Sequence, residues 1–387
     1  MSKMKTIKNL LWIFIAAICI VGCDLDFEGL ETEEVILSTV SLSQQATATS
    51  DALVLPTITV TIAPSPTQQP NATEISLHLE LDREFDMAGR LLEFSPDGTK
   101  IVVANEDPDP ILIIDAQTGE IVQEIYKPRS EIDGLIYGIG DLAFFPDGEK
   151  LAGGGSEQKV LIWDLDSGEL IQEYQKIAGI TRIVISSDGN LLAYIITGDL
   201  MTDASIINFG ESVCRFPLVI TNYKDLAFSP TQNLIAGAVD VFSEGVNVRV
   251  WRIDDQEYCQ PVLDLFSDGG YAQSIDFSPD GELIAVIVDQ KVRIWDLTAS
   301  QEIVWPVMDQ DEKRFNKVKF SSTGQLVARD QDRNFTIYDP YTGEVLGIIE
   351  ISEKGEEYYR PHFSISPDGS EIATIIPGVP LQIWRMP

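Results

Sequence analysis

Two histidines, His78 and His362, are all the imidazole this chain contains. Ser or Cys nucleophiles ordinarily need a His base beside them. Triad-type chemistry is therefore confined to two positions that also suit structural or solvent-facing roles. No Cys-x-x-Cys or His-Glu-x-x-His spacing occurs, which removes the common zinc-site patterns. Asp330-Gln331-Asp332-Arg333-Asn334 begins like a calcium loop, but the sixth position is not Gly and Tyr341 stands where the bidentate Glu belongs. Turn chemistry accounts better for it, and for Asn105–Asp109. Positive charge is scarce: 27 Lys and Arg face 61 Asp and Glu, a net charge of −34. Phosphate backbones repel such a surface, so nucleic acid is excluded as a partner. Long apolar runs are absent too. The twelve residues Leu10–Val21 are too few for a bilayer span, which takes about 20.

What the chain has instead is a repeat. Its cleanest copy is Ser274–Asp296: a short apolar strand, the turn Ser278-Pro279-Asp280-Gly281, the apolar run Leu283–Val288, and Val292-Arg293-Ile294-Trp295-Asp296. Seven copies align on the turn residue at 97, 147, 188, 231, 280, 323 and 368, spaced 41 to 50 residues apart. Pro presets φ for the turn, Asp tolerates its second position, and Gly accepts positive φ. The β-branched and aromatic flanks read as strands. A sheet with two apolar faces cannot bury itself; similar sheets stacked around an axis can. The period is that of a four-stranded propeller blade.

These residues resemble WD40 repeats over roughly 75–387. Trp163-Asp164 and Trp295-Asp296 match that family's closing dipeptide, with Tyr338-Asp339, Trp251-Arg252 and Trp384-Arg385 as variants. The resemblance implies an all-β, seven-bladed β-propeller. The family's Gly-His dipeptide is missing from every copy, so its buried His-Asp-Ser/Thr-Trp network is expected to be absent. The Phe-Ser-Pro-Asp-Gly turn is also similar to that of Tol-system and peptidase propellers.

The first 74 residues differ in kind. Lys3, Lys5 and Lys8 precede the apolar run, and Ile20-Val21-Gly22-Cys23 resembles a bacterial lipobox. The resemblance implies a signal peptide at 1–22, cleavage before Cys23, and lipidation of Cys23 as the only membrane attachment. Several acyl chains on one residue anchor stably. Cleavage removes three Lys and no acid, leaving −37. Residues 23–74, rich in Ser, Thr and Pro, read as a flexible linker. Ile75, Leu77, Leu79 and Leu81 alternate with polar residues, a period-two strand before the first repeat. The chain stops on a third strand, Leu381–Arg385, with no fourth after it. Strand 75–81 is therefore expected to complete the last blade and close the ring.

Cys214 and Cys259 occupy near-equivalent positions in adjacent repeats. An oxidising exterior permits a disulfide, whereas the splay of neighbouring outer strands opposes one; both outcomes stay open here. Tyr137, Tyr223, Tyr271, Phe315 and Tyr359 each precede an inner strand by a few residues, accompanied by Arg182, Lys224, Arg314 and Arg360. Loops at these positions converge on the mouth of the central channel, and aromatic and Arg side chains anchor binding surfaces. The competing reading is that the aromatics seal gaps between blades. The expectation is a lipid-tethered monomer outside the cytoplasmic membrane, a non-catalytic, cofactor-free platform for a protein or peptide partner at the channel-mouth face. The alternatives are a lactonase- or lyase-type propeller enzyme, Ca²⁺-dependent in some cases, and a Tol-like envelope component.

Overall fold

The computed structural model describes residues 78–387 apart from 106–108, 129–137, 177, 199–201, 209–210, 217–222, 242–245, 254–258, 267–269, 306–312 and 352–361. The expected signal peptide, Cys23 and the linker lie outside these residues, as do Tyr137, Tyr359 and Arg360.

After β1 (Leu81–Phe85) the chain lays down seven antiparallel sheets in sequence order. Blade I holds β2 (Leu91–Phe94), β3 (Lys100–Ala104), β4 (Ile111–Asp115) and β5 (Ile121–Ile125). Blade II holds β6 (Ile139–Phe144), β7 (Lys150–Gly155), β8 (Lys159–Asp164) and β9 (Leu170–Gln175). Blade III holds β10 (Gly179–Ile185), β11 (Leu192–Thr197), β12 (Thr202–Asn208) and β13 (Glu211–Arg215). Blade IV holds β14 (Asp225–Phe228), β15 (Leu234–Val241), β16 (Val246–Arg252) and β17 (Gln260–Phe266). Blade V holds β18 (Ala272–Phe277), β19 (Leu283–Val288), β20 (Lys291–Asp296) and β21 (Gln301–Ile303). Blade VI holds β22 (Phe315–Phe320), β23 (Leu326–Asp330), β24 (Phe335–Tyr338) and β25 (Val345–Ile349). Blade VII holds β26 (His362–Ile365), β27 (Glu371–Ile376) and β28 (Val379–Arg385), with β1 as its fourth strand. The protein is an all-β, seven-bladed propeller.

The turn between the first two strands of a blade is locally determined. Ser95 Oγ donates to Asp97 Oδ1 (2.6 Å), the same carboxylate accepts Thr99 N–H (3.0 Å), and Ser95 Oγ accepts Lys100 N–H (2.9 Å). Ser186–Asp188, Ser278–Asp280 and Ser366–Asp368 repeat the hydroxyl–carboxylate bond. Gly98 sits at φ +71°, which only Gly adopts without strain. The Asp of each closing dipeptide caps the next turn: Asp115, Asp296 and Asp339 each accept two backbone N–H groups and a Thr hydroxyl. Asp164 does the same with Ser167 N–H and Oγ. Hydrogen bonds to the charged form hold Asp97, Asp115, Asp164 and Asp296 below the usual carboxylate range.

Apolar burial lies between blades. Each of the seven clusters of buried side chains joins one sheet to its neighbour. In blades II and IV the indole of Trp163 or Trp251 lies over a glycine of the adjacent strand. A Cβ at Gly153 or Gly237 would stand 2.9 Å from that ring, inside van der Waals contact. The expected loss of the His-containing network follows in part from this. Where Gly faces the Trp no hydroxyl can meet its Nε1, and both indole N–H groups are buried without a partner. One link survives in the last blade, where Trp384 Nε1 donates to Thr374 Oγ1 at 3.1 Å.

The ring closes through the N-terminal side of the chain, as the unfinished last blade requires, by a strand that begins at Leu81, the last residue of the expected 75–81, and runs on to Phe85. The pairing strand is β1, with Glu84 opposite Gln382 and Phe85 opposite Leu381. Arg83 forks onto Glu371 (2.8 and 2.7 Å) and donates to Ala116 O, tying blade VII to blade I. Residues 78–79 instead run along blade VI: His78 bridges Ile348 in parallel, and Leu79 N donates to Ile348 O at 2.8 Å. Of the apolar alternation that reads as the latch, Leu79 thus belongs to its approach and Leu81 to the latch itself, while Ile75 and Leu77 lie outside the described residues. The latch itself lies on an exposed edge, where charged Arg83 and Glu84 suit it better than leucine.

Candidate functional site

Inner strands β2, β6, β10, β14, β18, β22 and β26 line the central channel. Side chains alternate along a strand, so each inner strand sends two residues inward. They fall six and four positions before the turn residue. The upper tier is Leu91, Asp141, Arg182, Asp225, Ser274, Lys317 and His362; the lower is Glu93, Ala143, Val184, Ala227, Asp276, Lys319 and Ser364.

An inner strand has a free edge of backbone donors, which cannot stay unpaired when buried. The channel side chains of the preceding blade fill this need. Asp141 Oδ2 accepts Ile183 N–H (2.7 Å) and Asp225 Oδ2 accepts Ile275 N–H (3.2 Å). Ser274 Oγ accepts Val318 N–H (3.3 Å), and His362 Nδ1 accepts Leu92 N–H (3.4 Å). In the lower tier Asp276 accepts Phe320 N–H (2.8 Å), Ser364 accepts Phe94 N–H (3.2 Å), and Glu93 accepts Phe144 N–H. Each upper-tier acceptor takes the N–H five positions before the next turn residue, and each lower-tier acceptor takes the one three before it.

Blades III and VI carry cations in these tiers. Asp225, 2% exposed, lies between them: Arg182 Nε stands 2.5 Å from Oδ1 and Lys317 Nζ 2.9 Å from Oδ2. Arg182 also reaches Asp141 Oδ2 at 3.3 Å. Burial pushes the Asp225 carboxyl up, but Arg182 and Lys317 outweigh it and hold the group below its ordinary value. Lys317 is lowered by burial and by the like charge of Arg182. Burial lowers His362 to about 3, assisted by Lys317, Arg329, Lys319 and Arg182, so its ring is neutral at any working pH. Glu93 as a residue is half-buried, yet its Oε2 is sealed from solvent without a hydrogen-bond partner. Burial raises it to about 7.

Two cavities share the channel. The upper, about 270 Å³, includes the starts of the inner strands, with Thr181, Lys224 and Gln273 at its mouth. The lower, about 300 Å³, ends at Ser187, Ser229 and Pro230, in the ring of turns that follow the inner strands. Arg182, Asp276 and Lys319 line both and form the partition.

The expected binding residues divide. Arg182 and Lys224 line the upper cavity. Tyr271, 58% exposed, and exposed Arg314 immediately precede inner strands β18 and β22. Tyr271 N donates to Asp289 Oδ1 at 2.9 Å. Tyr223 and Phe315 do not belong to an open face. Tyr223 is buried against Phe216 and Trp251, with ring centroids 5.7 and 6.2 Å away. Phe315 is wholly buried, edge-on to Tyr338 at 6.3 Å. Both seal gaps between blades, because the residue leading into an inner strand already lies under the neighbouring sheet. Cys214 and Cys259 are bonded, with Cα atoms 5.1 Å apart. Cys259 lies just before β17, close enough to β13 to bridge blades III and IV within the same apolar cluster as Tyr223. The Asp330 segment forms a turn in which Asp330 Oδ1 accepts Asn334 N–H at 2.9 Å. Among the described residues no three His, Cys, Asp or Glu side chains come together as a metal site would require.

Sequence pattern alone does not single out the charged tiers. The signal was available, since the two positions keep strict register with the turn. Their identities change from blade to blade, however, so no repeat in residue type marks them.

A fold of seven four-stranded sheets in a closed ring is a β-propeller of the seven-bladed class. Within it, residues 262–296 match the family model described as WD domain, G-beta repeat. That stretch covers most of β17 and all of β18–β20, the outer strand of one blade with three strands of the next, so this part of the ring is similar to a single WD40 repeat. No curated protein matches the chain.

Proposed function

We propose that this propeller is tethered through lipidated Cys23 on the outer side of the cytoplasmic membrane and serves there as a non-catalytic interaction platform. The partner is a protein or peptide that docks where the upper cavity opens. WD40 propellers are commonly interaction scaffolds, and the acidic composition suits a soluble body held at a cell exterior. The observation that carries the reading is how the channel carboxylates are used. Asp141, Asp225 and Asp276 each bind a backbone N–H of the next blade, so they serve the ring, while Tyr271, Lys224 and Arg314 stand exposed at its rim. Affinity capture of the full-length protein from crosslinked cells tests this, run beside Tyr271→Ala with Arg314→Ala. The expected result is an envelope protein retained by the parent and lost by the double variant at unchanged melting temperature. Identical capture by both would refute the docking face. Metabolic labelling with a fatty acid, abolished by Cys23→Ala, tests the tether separately.

A further inference from the structure

The upper cavity has a charge opposite to that of the molecule around it. The chain carries −34 overall, yet Arg182, Lys224, Lys317, Lys319 and Arg329 line this space against three carboxylates, Asp141, Asp225 and Asp276. Cations outnumber carboxylates in this lining. Lys319 feels the carboxyl groups of Glu93 and Asp276, but neither its ammonium nor that of Lys224 lies within ion-pair or hydrogen-bond distance of a partner among the described residues. Lys224 stands at the mouth and Lys319 in the partition below, so the surplus faces the cavity from two sides.

We propose that the upper cavity binds a compact, freely diffusing polyanion, either inorganic phosphate or a small di- or tricarboxylate, held between Lys224 at the mouth and Lys319 at the floor. Arg182 and Lys317 complete the positive wall while keeping Asp225. Focused by low-dielectric walls, a field of this sign concentrates anions that the rest of the surface repels. The volume, about 270 Å³, is that of about nine water molecules. This admits phosphate or citrate and excludes a folded segment of a partner. Lys317 and His362 are both disfavoured in their charged forms, by burial and then by neighbouring cations. An anion in the cavity would relieve that repulsion. The proposal is independent of the protein partner proposed above and goes beyond it.

The test is calorimetric titration of the full-length protein in detergent, with sodium citrate and, separately, with inorganic phosphate, at matched ionic strength. Saturable binding of at least one is expected, and the preferred anion tells carboxylate from phosphate. Lys224→Met with Lys319→Met should weaken it at least about tenfold, and Lys319→Arg should retain it. Lys224→Glu, at an exposed position, gives the same reading if the double variant does not fold. Absence of saturable binding by both anions would overturn the proposal. So would binding that is undiminished in the double variant or, failing that, in Lys224→Glu.

Discussion

The two ends of each inner strand obey different rules. At its C-terminal end the Ser-Pro-Asp-Gly turn closes on itself: Ser95, Asp97, Thr99 and Lys100 satisfy one another within six residues. Along the strand, the channel side chains bond to other blades. Asp225 meets Arg182, Ser274 and Lys317, residues 43, 49 and 92 positions away. The turns are nearly alike in every blade and specify where a blade is. The channel residues differ in every blade and specify which blade sits beside which. Repetition builds the scaffold, and departure from it makes the seams and the cavity.

The comparison can be broken most severely at the closing seam, which belongs wholly to the non-local class. A chain beginning at residue 72 is expected to melt with the full-length protein. One beginning at residue 87 loses β1 and the Arg83–Glu371 fork, and should lose on the order of 5 kcal/mol, comparable to a domain's whole stability. Its melting temperature should then fall by at least about 8 °C. Equal melting of the two truncations would mean that the ring is not latched by β1.

The channel should also carry the pH dependence. Glu93 has a folded value raised to about 7, so its contribution to stability is lost as pH rises from about 4.5 to 7. His362 has a folded value lowered to about 3, so its contribution is lost as pH falls below about 6.5. Opposed slopes place a stability maximum between them. Glu93→Gln should flatten the alkaline limb and gain on the order of 1 kcal/mol at pH 8 relative to the parent, discounted for partial exposure. Urea denaturation at pH 5, 6.5 and 8 measures it. An unchanged alkaline slope would show that Glu93 does not titrate in this range.

The smallest effect belongs to a turn. Asp97→Ala removes local acceptors at the surface and should cost about 1 kcal/mol, without changing the slope between pH 5 and 8, where Asp97 is ionised in both states. A loss several times larger would erase the distinction between turn and channel.

Most of the fold was legible because its signals are local. Pro, Asp and Gly mark the turns, and β-branched runs mark the strands. The sequence pattern places the latch a few residues too early, with only Leu81 in common, since Ile75–Leu81 has the alternation of a half-buried strand while β1 is held at an exposed edge by charged side chains. Spacing leaves both readings of Tyr223 and Phe315 open for a related reason: it locates a residue before a strand but does not say whether it faces solvent or the neighbouring sheet, and the structure takes the second. The channel pairs were illegible as pairs. Only ring closure brings Asp225 to Lys317, and nothing in either neighbourhood announces the other.

A double-mutant cycle on Arg182→Met and Asp225→Asn, read by equilibrium denaturation, tests most directly whether non-local charge joins the blades. The account predicts a coupling of about 2 kcal/mol or more, against less than about 1 kcal/mol for Ser95→Ala with Asp97→Ala in the turn. Coupling below about 0.5 kcal/mol between Arg182 and Asp225 would contradict it.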